Sequence, residues 1–237
     1  MKRLLLMSSS RKGSMGYLEH ATEQLETILA GKVKKVLFVP YAAVSFSFDD
    51  FEKIARAPFE KLGVELVSIH HSSNPAAAVE QAEAVAVGGG NTFALLRRIC
   101  DNGILEPVRK RAEAGMPYMG WSAGTNVSCP TIRTTNDMPI TQPPSLDAFN
   151  LIPFQINPHF ISGKPAGHNG ESREERLAEF LAINPGENVL AIREGSALYV
   201  EGTHATLMGD LDALVFRSSG TEVLPPNSKF ALSDICR

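Results

Sequence analysis

The pentapeptide Gly120-Trp121-Ser122-Ala123-Gly124 is the strongest chemical signal in the chain. It matches G-x-S-x-G, in which a sharp strand-to-helix turn projects a serine hydroxyl above a sheet. The apolar run at 117–120 reads as the strand and the residues after it as the helix. The N–H of Ala123, at the start of that helix, is placed to meet an oxyanion. A second glycine turn, Gly88-Gly89-Gly90-Asn91-Thr92, also ends an apolar run and opens a helix. Amides at Gly89 and Gly90 can point into a site there, as an oxyanion wall or a phosphate cradle. The stretch lacks the lysine of a P-loop and the spacing of a dinucleotide fingerprint, which favours the oxyanion wall.

A nucleophilic serine needs a base, and the chain has 6 histidines. His20 falls in a helical pattern and reads as a surface residue. His70-His71 read as loop packing at a strand end, and His204 as part of a hairpin. His168 lies among glycines, too loosely held for a base but suited to binding. His159 leaves the strand at 154–157 through Pro158, a rigid exit, and is the favoured base. The base in turn needs an acid to orient it. Glu194, directly after the strand at 189–193, ranks first, with Asp137, Asp210 and Asp212 as rivals. The order serine, histidine, acid differs from the α/β-hydrolase order. An esterase or acyl-transferase on that plan would use Asp137 or Asp147, and a catalytically dead binding module would use none of them. No cluster with metal-ligand spacing is visible, so neither a metal nor a cofactor is expected.

The elements that must position these groups alternate in the first half. Apolar runs at 3–8, 36–40, 64–69, 84–87 and 117–120 read as buried strands. Between them lie helical patterns: one capped by Ser14 and stopped at Gly31, one capped by Asp49 or Asp50 and kinked by Pro58, a short one opened by Asn74-Pro75, and two more at 92–100 and 105–114. Such alternation predicts a doubly wound, mostly parallel α/β sheet. After a helix at 173–181, short strands at 189–193, 197–201, 205–208 and 213–217 predict antiparallel additions at the sheet edge. No repeat or long linker divides the chain, so residues 1–237 are expected to form a single catalytic domain.

The composition narrows the function. There are 23 Lys+Arg against 26 Asp+Glu, for a formal net charge of −3, and the basic residues come only in short runs. A nucleic-acid platform needs a concentrated basic face, so that class is disfavoured. With 43% hydrophobic residues and a mean hydropathy of −0.05, the chain is ordinary for a globular protein. No run approaches the ~20 apolar residues of a membrane span, and the apolar start is too short for a signal peptide. Cys100, Cys129 and Cys236 read as free thiols in a reducing cytoplasm.

Taken together, the 88–92 turn, Gly120-Trp121-Ser122-Ala123-Gly124-Thr125-Asn126, Asn157-Pro158-His159-Phe160 and Arg193-Glu194-Gly195 resemble the peptidase E family of bacterial α-aspartyl dipeptidases. The likeness covers essentially the whole chain. It implies a fold akin to class I glutamine amidotransferases, with serine in place of their elbow cysteine, and hydrolysis of Asp-Xaa dipeptides. Ser122 is then the nucleophile, His159 the base and Glu194 the acid, with Asp137 a supporting residue or rival acid. Gly89, Gly90 and Ala123 would line the oxyanion hole. Asn91 and Thr92 would face the substrate. Arg173, or Arg176 one turn on, would bind the aspartate carboxylate through its bidentate fork. The stretch 162–170 would form a lid. A β-aspartyl polymer, as in cyanophycinase-like relatives, is the alternative substrate. A small peptide is the only expected partner, without nucleic acid or membrane, and a homodimer is left open.

Overall fold

A computed structural model of the chain describes residues 1–164, 166–167 and 169–236. Its first strand shows how the sheet is built. β1 (Arg3–Met7) places Leu4 and Leu6 in one apolar cluster and Leu5 and Met7 in another. Side chains alternate across a strand, so both faces of the sheet are covered. α1 (Thr22–Leu29) begins later than the sequence pattern predicts. Ser14 does not cap it; Leu18 turns left-handed (φ 54°) and a 3-10 turn at Glu19–Ala21 intervenes.

β2 (Lys35–Val39) leads to α2 (Phe48–Lys61), which runs through Pro58. Its cap is Ser47, whose hydroxyl accepts from the Asp50 N–H at 3.1 Å, and not Asp49 or Asp50. Serine is a strong N-cap, and this choice puts both carboxylates in the first turn, where the helix dipole favours them. β3 (Glu65–Ser68), a 3-10 turn at Ile69–His71 and α3 (Pro75–Gln81), capped by Asn74, follow. Next come β4 (Ala84–Val87), α4 (Thr92–Asp101), α5 (Leu105–Glu113), β5 (Tyr118–Trp121) and the one-turn α6 (Ala123–Asn126).

The second half contains β6 (Gln155–Asn157), α7 (Arg173–Ile183) and β7 (Val189–Ala191). It continues with β8 (Ala197–Glu201), β9 (His204–Met208), β10 (Ala213–Arg217), β11 (Gly220–Leu224), β12 (Lys229–Ala231) and α8 (Leu232–Ile235).

The large sheet has the order β12-β9-β8-β1-β5-β4-β2-β3, with its last five strands parallel and β8, β9 and β12 added antiparallel. β7 and β10 depart from the expected edge additions. They form a second, 4-stranded sheet in the order β11-β10-β7-β6. The cause lies in β6 and β7, which pair in parallel and therefore need a crossover, supplied by α7. This βαβ unit has its own apolar cluster of Phe160, Leu177, Leu181, Val189, Ala191 and Phe216. In the large sheet, Gly120 pairs with both Leu6 and Val87, so the ends of β1, β4 and β5 emerge side by side at the carboxyl edge.

Candidate active site

At that edge β5 turns into α6 through Ser122, whose backbone sits at φ 55°, ψ −114°. A non-glycine residue held there carries roughly 1–3 kcal/mol of strain, which its surroundings must offset. Its N–H donates to the Met7 carbonyl at 3.1 Å, and the Thr125 hydroxyl donates to the same carbonyl at 2.7 Å. The flanking glycines follow from close approach: a Cβ on Gly124 would collide with the Val87 carbonyl, and one on Gly120 with the Gly124 carbonyl. Trp121 is fully buried, stacked on Phe38 at 5.9 Å, and its indole donates to the Tyr17 hydroxyl at 2.8 Å. The elbow therefore stands on a rigid base.

The candidate base and acid arrive from the small sheet. His159 follows β6 and Glu194 follows β7. His159 Nε2 lies 2.8 Å from Ser122 Oγ, and its Nδ1 lies 2.7 Å from Glu194 Oε1. The rival acids are engaged elsewhere. Asp137 accepts from the Thr92 N–H at 2.8 Å, the Thr92 hydroxyl at 2.6 Å and the Thr135 hydroxyl at 3.2 Å, at the start of α4. Asp210 pairs with Lys12 at 2.9 Å and Asp212 with Arg193 at 3.0 Å. Asp147 is tied to Thr131 only by an isolated backbone bridge, and among the described residues its carboxylate makes no bond to His159, whose Nδ1 meets Glu194. The α/β-hydrolase arrangement with Asp137 or Asp147 as acid is therefore not formed.

Ser8 was not singled out from the sequence, yet it connects the whole site. Its hydroxyl accepts from the His159 N–H at 2.8 Å and donates to the Ile192 carbonyl at 2.9 Å. Its own N–H donates to the Ser196 carbonyl at 3.0 Å, and Ser9 accepts from the Gly195 N–H at 3.2 Å. The fully buried hydroxyl thus holds the base's backbone, itself at φ 54°, against the strand that carries the acid. The available signal was the polar run Ser8-Ser9-Ser10 directly after an apolar strand, at the edge where active sites of such sheets form.

Among the described residues, no backbone carbonyl accepts from Gly89, Gly90 or Ala123, so these amides are free to face an oxyanion. Asn91 and Thr92 do not fit the substrate-facing role. Asn91 Oδ1 accepts from the Ala94 N–H and its Nδ2 donates to the Met138 carbonyl, so it caps α4, while Thr92 is committed to Asp137. His20 is half-buried, not on the surface. Burial and the Lys12 charge push its pKa down, against a pull upward from Glu194. His168 and Pro165, within the expected lid, lie outside the described residues.

Arg173 opens α7 behind the Ser172–Glu175 capping box. Burial and then the neighbouring Arg176 push its pKa below the ordinary value, while Glu194 and Asp137 act the other way. Its Nη1 is buried with no partner among the described residues. A cavity of about 300 Å³ lies between Arg173, Arg176, Asp137, Asn136 and Asn157, the last of these two residues before His159.

A serine at such an elbow, in line with a histidine and a carboxylate on a doubly wound sheet, is the apparatus of a serine hydrolase. The chain belongs to Peptidase family S51, whose sequence profile matches residues 4–208. It is 50% identical over 232 residues to Peptidase E of Pasteurella multocida (strain Pm70), covering 97% of this chain and 99% of that one. It is 51% identical over 217 residues to Peptidase E of Actinobacillus pleuropneumoniae serotype 5b (strain L20), covering 91% and 93%. Among solved structures, the fold is shared with a peptidase from an acI-B1 actinobacterium (TM-score 0.74, 20% identity, 98% of this chain and 97% of that one). It is also shared with a putative peptidase E protein from Listeria monocytogenes EGD-e (TM-score 0.67, 22% identity, 87% and 98%).

Proposed function

We propose that this serine peptidase removes aspartate from the amino end of Asp-Xaa dipeptides. The observation that carries the reading is the unpartnered, buried Nη1 of Arg173 beside the relay. A buried guanidinium nitrogen without an acceptor costs free energy that a carboxylate relieves, and its fork suits two carboxylate oxygens. The cavity of about 300 Å³ is at the small end for ligand sites, which fits one short acidic side chain. Asp137 lines the same cavity; its Oδ2 is occupied by Thr92 and Thr135, and its other oxygen would receive the substrate ammonium.

The chemistry then follows the relay. Ser122 Oγ attacks the Asp-Xaa carbonyl carbon as His159 Nε2 takes its proton, while Glu194 holds the imidazole in the required tautomer. The amides of Ala123, Gly89 and Gly90 receive the oxyanion. His159 passes the proton to the leaving amine. It then activates the water that releases aspartate from Ser122. Three free thiols support a cytoplasmic site of action. No described helix is long and apolar enough to cross a membrane.

Hydrolysis of Asp-Leu, Glu-Leu, Leu-Leu and β-linked Asp-Leu by wild type and Arg173→Ala tests the reading. Asp-Leu alone should be cleaved well. Arg173→Ala should lower kcat/KM for it ~10–150-fold, the worth of a charged hydrogen bond of about 1.5–3 kcal/mol. Preference for the β-linked isomer would move the assignment to that linkage. Cleavage of simple esters alone would end the aspartyl reading.

A further inference from the structure

At the far edge of the large sheet, Asp49, Glu52, His70 and His71 bring four potential ligand atoms within 4.8 Å of one another. We propose that these four side chains form a binding site for a divalent transition-metal ion, Zn(II) being the best match. The sequence shows no metal-type spacing because the ligands come from two separate segments. Asp49 and Glu52 lie three apart in the first turn and a half of α2, and so share a helix face. His70 and His71 lie in the 3-10 turn that follows β3, which sets their ring centroids 3.9 Å apart at a tilt of 40°. Reading the pair as loop packing overlooked the two carboxylates that the helix brings to it.

The distances suit a four-coordinate ion. His70 Nε2 lies 2.9 Å from Asp49 Oδ1, His71 Nε2 2.8 Å from Glu52 Oε2, and His71 Nε2 3.9 Å from Asp49 Oδ1. A tetrahedral ion with bonds of ~2.0–2.1 Å separates its ligand atoms by ~3.3–3.4 Å, inside that range. Closing on one centre opens the two 2.8–2.9 Å pairs by about half an ångström and draws in any pair nearer the 4.8 Å limit, which the exposed Asp49 and His71 side chains can accommodate. Both imidazoles present Nε2 inward, and each carboxylate presents an oxygen to the same point.

The surrounding contacts are those that orient metal ligands. His70 Nδ1 is 2.5 Å from the Ser68 hydroxyl, which fixes the ring and leaves Nε2 for the ion. Glu52 Oε1 accepts from Arg56 at 2.9 Å and from the Ser68 N–H at 3.1 Å, so Oε2 is the oxygen turned toward His71 Nε2 and the cluster. The Glu52 side chain is only 6% exposed, so this carboxylate is fixed in place, whereas Asp49 at 65% and His71 at 52% leave an entry path.

Two nitrogen ligands select zinc-like ions over magnesium or calcium, which prefer oxygen shells. Four protein ligands fill a tetrahedral shell, which defines a structural site and not a catalytic one. The ion would clip the start of α2 to the end of β3. The relay is separate: its serine follows β5, and β4 and β2 lie between β5 and β3.

The test uses untagged, full-length protein freed of metal by chelator and titrated with Co(II) and with Zn(II). One equivalent should bind, with the intense visible bands of four-coordinate cobalt and a rise in Tm. His71→Ala and Asp49→Asn, both at exposed side chains, should each weaken binding ~10–100-fold and remove the Tm rise. His159→Ala should leave binding intact, because the relay histidine is not a ligand. Absence of a saturable equivalent, equal binding by wild type and both cluster variants, or loss only in His159→Ala would each overturn the proposal.

Discussion

The two sheets contribute unequal halves of one site. The large sheet supplies Ser122, on an elbow whose indole and flanking glycines are buried. The small sheet supplies His159 and Glu194 from strand ends nearer solvent, where the Glu194 side chain is 55% exposed. One half is fixed by packing and the other by a few hydrogen bonds across the junction. Ser8 makes two of those bonds, and Cys129 makes another by accepting the Ile156 N–H at 3.1 Å. The serine's position is thus a property of one sheet, whereas the 2.8 Å serine–histidine contact is a property of the register between two.

The largest effect should come from the rigid half. Ser122→Ala should lower kcat for Asp-Leu by ~10⁴–10⁶-fold, with the near-UV spectrum unchanged. A loss below about tenfold would remove serine from the nucleophile's role. The junction comes next. Ser8→Ala leaves the His159 N–H and the Ile192 carbonyl unpaired in a buried place, at a cost of ~1–3 kcal/mol in stability. It should also lower kcat ~10–100-fold with KM nearly unchanged, because small misplacement of a base is costly. A lower Tm with unaltered kcat would reduce Ser8 to a structural role.

The smallest effect at neutral pH concerns Cys129. Burial pushes its thiol up to about 12, while an unfolded thiol ionises near ~8.5. Above ~8.5 the unfolded state releases a proton that the folded state keeps, so stability is full below that pH and falls toward about 12. The slope is at most ~1.4 kcal/mol per pH unit, and urea unfolding between about pH 8 and 10 should show it flattened in Cys129→Ala. An unchanged slope would place the titration elsewhere.

Much of this was legible in the sequence, and for identifiable reasons. The continuous apolar strands and the two glycine turns fix their own neighbours locally, so the parallel sheet and the elbow at Ser122 follow from short-range pattern. His159 and Glu194 were legible because each lies just beyond a short strand read from the sequence, His159 after Pro158. The second sheet was not, since 189–193 and 213–217 look the same whichever partner they pair with. Only the β6-α7-β7 crossover decides it. Asn91 and Thr92 read as substrate contacts because they follow the glycines, yet a residue at a helix start also satisfies the helix's own open N–H groups, and that demand prevailed. Ser8 stayed hidden because its partners lie more than a hundred residues away.

The central claim is that Glu194, from the small sheet, completes the relay while Asp137 belongs to the substrate cavity and the α4 cap. Steady-state kinetics of Glu194→Gln and Asp137→Asn on Asp-Leu test it directly. Glu194→Gln should lower kcat by ~10²–10⁴-fold, toward the lower value because the acid is solvent-exposed, with KM little changed. Asp137→Asn should act chiefly on KM and keep kcat within about tenfold of wild type. The reverse pattern, with kcat collapsing in Asp137→Asn and surviving in Glu194→Gln, would contradict the two-sheet relay.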